Sequence, residues 1–593
     1  MPSGPAEPEA AARQPLVDDQ ATLFARDLGA RGSRSEVAGA DPGADLSPTA
    51  AAVLAAIPSW WTAQALAAGL SGRWLDVRES VDAAAPVATL ADSTLDKSWG
   101  ALSAEDVGAA YVDALSGATR ARHGRHYTPP PLAERLWAMA RVALGHGRSP
   151  RALHGLVRDP ACGAGALLLP ALREHLAASH QVDPRVVLAG LPNLIEGVDV
   201  DPAAVWIANV VLAAEMLPLL RRVPVNRRRR LPALARVGDG LSPSESRARL
   251  VLMNPPYGRV RLSEDDRRRF EPVLYGHANL YSLFVATALE RLDERGTLAA
   301  VVPTSFTSGR YFTNLRSVIA ATTCLREITF VSSRNGVFST VLQETCLAVF
   351  TRRRTRRTVV TTLNGEKVNA VASVKARHGA GPWVLPRRAD DAPIAAAAAS
   401  MPLTLLGAGW TASTGPLVWN RRREDLHAAA AAGRVYVLWA ADIDGGVLHR
   451  DHARNALRYL QTRDDADRAV MVLGGPAVLV QRTTAPEQRR RLVAVELTDE
   501  DLERLGPVVV ENHVNVLRPK QEALISRAAL ARLLRTRTLD RLTRCISGSV
   551  ALSAYELESL PLPSPGTLAS WEDLQGEDLE QAVARAYRPE LER

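Results

Sequence analysis

The sequence predicts an α/β protein: a doubly wound, mainly parallel sheet, with a helical segment before it and an α+β unit after it. Three observations carry that expectation. Short apolar runs ending in an acid or a polar turn recur at VRDPACGAGALL (157–168), IEGVDVDP (195–202), ARVGDGLS (235–242) and VLMNPPYG (251–258), which is how buried strands read when ligand-binding loops follow their carboxyl ends. Before them, ALSAEDVGAAYVDAL (101–115) repeats its apolar residues at helical spacing behind a Ser-x-x-Asp cap. After residue 400 the pattern changes to short β-like runs followed by an apolar–arginine helix.

The stretch 251–258 carries the most chemistry. A planar amino nitrogen is a poor nucleophile until acceptors take hydrogen bonds from its N–H groups. Asn254 Oδ1 and the Pro255 carbonyl can supply two such acceptors side by side. Pro255 and Pro256 fix φ and remove two donors, so the backbone there offers acceptors only. Tyr257 adds a ring face on which a flat base can stack. Asn-Pro is also a plain turn former, so the function rests on the neighbouring motifs. DPACGAG (159–165) combines an acid, Asp159, with small residues Ala161, Gly163 and Gly165 that let a ligand approach the backbone. Asp199 and Asp201 end the second run, suited to a ribose diol, and Asp239 ends the third, able to accept from an adenine amino group. Each acid alone reads equally well as a helix cap.

Taken in this order, the motifs resemble the gamma-class amino-methyltransferases of DNA, the S-adenosylmethionine-dependent adenine methylases of restriction-modification systems. The resemblance covers roughly residues 100–355. It implies a Rossmann-like methyltransferase fold with S-adenosylmethionine as cofactor and double-stranded DNA as partner. HGRHYTPPPLAERL (123–136) looks like the segment that closes over the cofactor's methionine end, which nominates Tyr127 and Thr128. Asp159, Ala161, Gly163 and Gly165 fall in the glycine-loop motif, Asp199 at the ribose position and Asp239 at the adenine position; Asn254 also borders the cofactor. NPPY matches the catalytic motif, assigning Asn254, Pro255, Pro256 and Tyr257, and NGVFSTVLQETCLAVF (335–350) nominates Phe338 as the aromatic against a flipped base. One departure is the longer interval from the glycine turn to Asp199, so HLAASHQVDPRVVLAGLPN (175–193) must hold an insertion or a longer helix.

Composition agrees. The chain has 593 residues, 47% hydrophobic and 23% charged, with a formal charge of +8, ordinary for a globular protein and suited to a polyanionic partner. Four cysteines without paired spacing argue against a disulfide scaffold or a zinc site. No metal is expected. Residues 46–72 are uncharged enough to raise a membrane span, but Pro58, Gln64 and Trp60-Trp61 favour a buried helical hairpin. A cytoplasmic protein without a membrane partner is expected.

The landmarks divide the chain into a disordered tail (1–45), a helical segment (46–122), a catalytic domain (123–358), a linker (359–401) and a DNA target recognition domain (402–593), the last by a weaker resemblance to the same family. Candidate strands there are PLVWN (416–420), RVYVLW (434–439), AVLVQRTT (477–484) and VVVENHVNVLRP (508–519), with one helix over 523–543. Candidate DNA contacts are Arg352, Arg353 and Arg354 at the exit of the catalytic domain, then Trp419, Asn420, Arg421, Arg422, Gln481 and Arg482. Glu511-Asn512-His513 reads as a hydrogen-bonded structural turn.

Alternatives remain at this level. The same acceptor pair serves a protein glutamine amide, although the large C-terminal half favours DNA, and a cytosine amino group, although that class more often carries Ser at the Asn254 position. A methylase-like recognition subunit of a phage-defence complex would need partners. No Pro-Asp…Glu-x-Lys nuclease pattern is present, so any restriction endonuclease would be a separate polypeptide.

Overall fold

The computed structural model describes residues 47–86, 99–117, 127–147, 149–244, 246–331, 344–375, 379–449, 455–484, 488–520, 522–547 and 551–588. The expected tail (1–45) and Phe338 lie outside them.

The centre is a nine-stranded sheet of β1 (Val157–Asp159), β2 (Ile195–Asp199), β3 (Ala235–Val237), β4 (Ala248–Met253), β5 (Leu292–Pro303), β6 (Cys324–Val331), β7 (Thr345–Thr351), β8 (Thr358–Asn364) and β9 (Lys367–Val374). Its order is β9-β8-β6-β7-β5-β4-β1-β2-β3. β3 to β5 run parallel, β7 lies antiparallel between β5 and β6, and β9 is antiparallel to β8. Both faces are covered. Along β4, Leu250 and Leu252 enter one buried cluster while Val251 and Met253 enter the other, so the strand reads as a continuous apolar run. The doubly wound, mainly parallel sheet is the one expected. It runs past the predicted boundary at 358, because 359–374 form β8 and β9 rather than linker.

Around it stand α1 (Pro48–Ala67), α2 (Ala104–Ala114), α3 (Pro130–Ala143), α4 (Leu168–Ala178), α5 (Pro202–Arg222) and α6 (Leu280–Arg291). The long interval before Asp199 holds a second helix, Pro184–Gly190, started by Asp183, whose side chain accepts from Arg185 N–H. The predicted hairpin over 46–72 is instead one helix, α1. Its Pro58 is accommodated inside it, and Trp60 and Trp61 are buried with indole N–H groups on the carbonyls of Leu102 and Trp74. Among the described residues two helices, α1 and α5, are long and apolar enough to cross a membrane; most of α5 is buried within the protein.

Among the described residues the C-terminal unit holds two larger sheets and two two-stranded pairs, Leu403–Thr404 with Pro561–Leu562 and Ile443–Asp444 with Val447–Leu448. One larger sheet pairs Trp410–Thr414, Val514–Pro519, Ala477–Gln481 and Ala494–Leu497; the other pairs Leu426–His427, Tyr459–Gln461, Arg434–Leu438, Val508–Val510 and Val472–Leu473. The predicted strand 508–519 is thus two strands in different sheets, and Glu511-Asn512-His513 is the corner between them. There the His513 ring bonds the buried Glu511 carboxylate, which raises the imidazole pKa. Residues 416–420 are not a strand: Leu417 makes a single bridge and Trp419–Arg421 turn as a short 3-10 helix. The predicted helix 523–543 is two, Arg527–Leu534 and Arg537–Ile546, since Thr536 caps the second through Leu539 N–H.

Candidate active site

The sheet order reverses between β1 and β4, and the loops following these strands frame one cleft of about 1150 Å³, mouth included. This is where open α/β sheets bind ligands. Tyr127, Thr128, Asp159, Ala161, Gly163, Asp199, Asp239, Asn254 and Pro256 all line it, so most residues singled out in the sequence for cofactor and acceptor meet in one place.

The glycine turn is held by short bonds. Asp159 Oδ1 accepts from Ala161 N–H at 3.0 Å, and Gly163 N–H donates to Asp199 Oδ2 at 2.9 Å. Gly163 has φ +49° and nothing within 4 Å of where a Cβ would stand, so its backbone faces open cleft. Gly165, at φ +88°, lies behind the turn instead; its Cβ would stand 3.3 Å from Ala208. Gly240 admits no side chain, since a Cβ would fall 1.8 Å from the Pro160 carbonyl oxygen. Asp199 Oδ1 accepts from Asp201 N–H at 3.0 Å. Asp201, predicted as a ribose acceptor, caps α5 through Ala203 N–H and accepts from the Tyr111 hydroxyl at 2.8 Å.

Burial, with Asp199 nearby, pushes the Asp159 carboxyl up to about 8. The same surroundings raise the Cys162 thiol well above its ordinary value, keeping it neutral and unsuited to nucleophilic work.

At the acceptor end, Asn254 Nδ2 donates to Thr128 Oγ1 at 3.0 Å. The Tyr257 hydroxyl lies 3.1 Å from both Asn254 Oδ1 and the Val301 carbonyl. Its ring meets Tyr281 edge to face at 6.1 Å, and burial raises its pKa, so the phenol stays a donor. Pro255 is buried beneath the turn.

The predicted DNA contacts divide. Trp419, at 40% exposure, with Asn420 and Arg421, is open to solvent. Arg422 is not: it is 8% exposed and grips Asp467 through two bonds of 2.6 and 2.8 Å as well as Asp425. Arg482 is 1% exposed and donates to the Asn512 carbonyl, while the Gln481 amide donates to the carbonyls of Ala440 and Ile443. These three side chains are engaged by the protein itself. Arg352, Arg353 and Arg354 follow β7, which is antiparallel to β5. Thr351 is paired with Thr297 there, so the cluster lies at the opposite end of the sheet from Asn254, which follows the Met253–Ala300 pair.

Sequence reading missed Tyr111 and Val112 from α2, Leu115 directly after it, and Leu280 and Phe284 from α6, all lining the cleft. The spacing of Val107, Tyr111 and Leu115 marks them as a buried stripe. What the stripe packs against is a tertiary fact.

Residues 246–338 match the Eco57I restriction-modification methylase family. The match covers the stretch that holds the Asn254-Pro255-Pro256-Tyr257 turn. Two relatives extend the likeness. The type II methyltransferase M.PstI of Providencia stuartii is 27% identical over 340 residues, 55% of this chain and 66% of its own length. M.BsuBI of Bacillus subtilis is 23% identical over 343 residues, 56% of this chain and 68% of its own. The match to each thus spans about two thirds of that relative's length. Among solved structures, the type IIL restriction-modification enzyme MmeI in complex with DNA shares the fold with a TM-score of 0.50 at 13% identity, over 83% of this chain and 79% of that one. The matched segment includes β4, the NPPY turn and α6.

Proposed function

We propose that the chain is a site-specific DNA methyltransferase that moves a methyl group from S-adenosylmethionine to N6 of an adenine rotated out of double-stranded DNA, within a restriction-modification or phage-defence system. One observation carries the reading: Asn254 and Pro256 line the same cleft as Gly163, Asp199 and Asp239. Groups suited to nucleotide recognition and the Asn254 acceptor for a planar amine therefore share one space. The similarity to type II methyltransferases supports DNA as the acceptor.

The residues present fit S-adenosylmethionine. Gly163 turns an open backbone to the cleft, Asp199 and Asp239 offer carboxylates, and Leu241, Leu280 and Phe284 give apolar walls for a flat ring. When bound, the group supplies a methyl already activated by its sulfonium, so the protein's share is positioning and electrostatics. Asn254 Oδ1 and the Pro255 carbonyl accept from the target amine and localise its lone pair. The Tyr257 hydroxyl has one proton and two acceptors in reach. On arrival of the base it keeps the Val301 carbonyl and yields Asn254 Oδ1 without leaving a phenol unsatisfied. The base leaves the duplex because its amino group is otherwise paired. Trp419, Asn420 and Arg421 are the exposed groups assigned to DNA.

Expression in a methylation-deficient host, followed by sequencing that reports modified bases, tests this. One short motif carrying N6-methyladenine is the expected outcome, and Asn254→Ala is expected to abolish it while the purified variant still binds S-adenosylmethionine. Wild-type methylation by that variant, or a modified cytosine, would overturn the assignment.

A further inference from the structure

We propose that Tyr111 is a positioning residue of the cofactor site, which makes α2 a working part of a site that the sequence places wholly after residue 122. The inference rests on reading the cleft as an S-adenosylmethionine site.

Tyr111 is 1% exposed, and its hydroxyl donates to Asp201 Oδ2 at 2.8 Å. Asp201, equally buried, uses Oδ1 to accept from Ala203 N–H at 3.0 Å, so its carboxylate is fixed by two elements at once. Its backbone N–H donates to Asp199 Oδ1, and Asp199 Oδ2 receives the Gly163 N–H. A continuous relay of hydrogen bonds thus runs from a helix of the N-terminal segment to the glycine turn. Each link includes a carboxylate, the strong kind of hydrogen bond.

The helix is seated to hold that hydroxyl. Gly108, one turn before Tyr111, is costly in a helix interior. A Cβ there would stand 2.8 Å from the Tyr127 ring and 3.1 Å from Ala164, so glycine lets α2 lie directly on the turn and on the segment that covers it. Arg173 of α4 bridges Glu105 of α2 and Glu215 of α5. Val107 and Leu115 are buried on either side of Tyr111. Tyr111 acts through the loop after β2, two strands from the Asn254 turn after β4. Its loss therefore loosens the cofactor end and leaves transfer geometry in place.

The test compares the full-length chain with Tyr111→Phe and Val107→Ala, using calorimetric titration with S-adenosylmethionine, steady-state methylation and unliganded thermal unfolding. Tyr111→Phe keeps the ring. It is expected to weaken the Kd and raise the KM for S-adenosylmethionine about tenfold, the scale of one charge-assisted bond, with kcat unchanged and the unliganded Tm lowered, because the buried Asp201 carboxylate loses this donor. Val107→Ala is expected to lower Tm and leave the Kd unchanged. A Tyr111→Phe variant that binds like wild type, or a Val107→Ala variant that weakens the Kd equally, overturns the positioning role. Wild-type protein that binds no S-adenosylmethionine overturns the reading of the cleft itself, and this inference with it.

Discussion

At the scale of single residues, the cleft is built from small groups that cannot be larger and from one buried acid, Asp159, whose carboxyl holds its proton unusually well. Gly240 is excluded from carrying a Cβ by the Pro160 carbonyl, and Gly163 by its positive φ. Asp159 is the acid whose burial has a measurable consequence. Its folded pKa, about 8, lies above the ordinary value of 3.8, so between those values the folded protein holds a proton that the unfolded chain releases. The corresponding stability is fully present below about pH 4 and is lost as pH rises through about 8. Chemical unfolding of the ligand-free protein should therefore show stability falling from pH 6 to 8, and Asp159→Asn, which keeps an acceptor for Ala161 N–H, should flatten that slope. Equal slopes in both proteins would show that another group titrates. The placement of Asn254 and Asp199 at the cleft was legible because both stand at the end of a buried strand. The role of Asp201 was not: an acid capping α5 and an acid facing a ribose look identical in sequence.

At the scale of elements, the errors share one cause. Local patterns mark where chain becomes regular, and packing decides where it stops. The Ala-rich stretch with Pro58 reads as a hairpin, but continuous burial of Ile57, Trp60 and Trp61 keeps α1 whole. The apolar–arginine run 523–543 reads as one helix and breaks at the Thr536 cap. The cluster WNRRR at 419–423 reads as a uniform basic patch, yet Arg422 turns inward to Asp425 and Asp467. Alanine at 422 leaves both carboxylates without this guanidinium. Arg422→Ala is expected to destabilise the protein by about 2 kcal/mol, toward the lower side of buried-pair losses because the site keeps some exposure. Urea unfolding measures this. The salt dependence of DNA binding should be unchanged in that variant. A reduced salt slope with unchanged stability would return Arg422 to the DNA face.

At the scale of the whole molecule, the catalytic sheet and the C-terminal unit are joined by a buried arginine. Arg316 donates to the carbonyls of Phe306 and Gly309 on one side and of Ala380 and Gly381 on the other, and reaches the Tyr555 hydroxyl. Trp383 packs on Phe306 and Phe350, while Leu385 N–H donates to the Cys545 carbonyl. The segment predicted as a linker is thus a joint. Arg316→Leu removes this donor from four carbonyls, of which only that of Gly309 is shown keeping another, Phe312 N–H, and is expected to cost about 3 kcal/mol, with faster proteolysis between residues 379 and 390. Unchanged cleavage there would show that the aromatic packing suffices. The sequence by itself determined the doubly wound sheet, the order of its strand-end motifs and the Asn254-Pro255 turn that follows β4, because strand burial and proline geometry are local and leave a periodic trace. Only the tertiary structure decided that Tyr111 reaches Asp201, that Arg352–Arg354 lie at the far end of the sheet, and that Arg316 closes the joint. Those depend on which strand runs antiparallel and which helix face meets which loop, and such long-range pairings leave no mark in the spacing of residues along the chain.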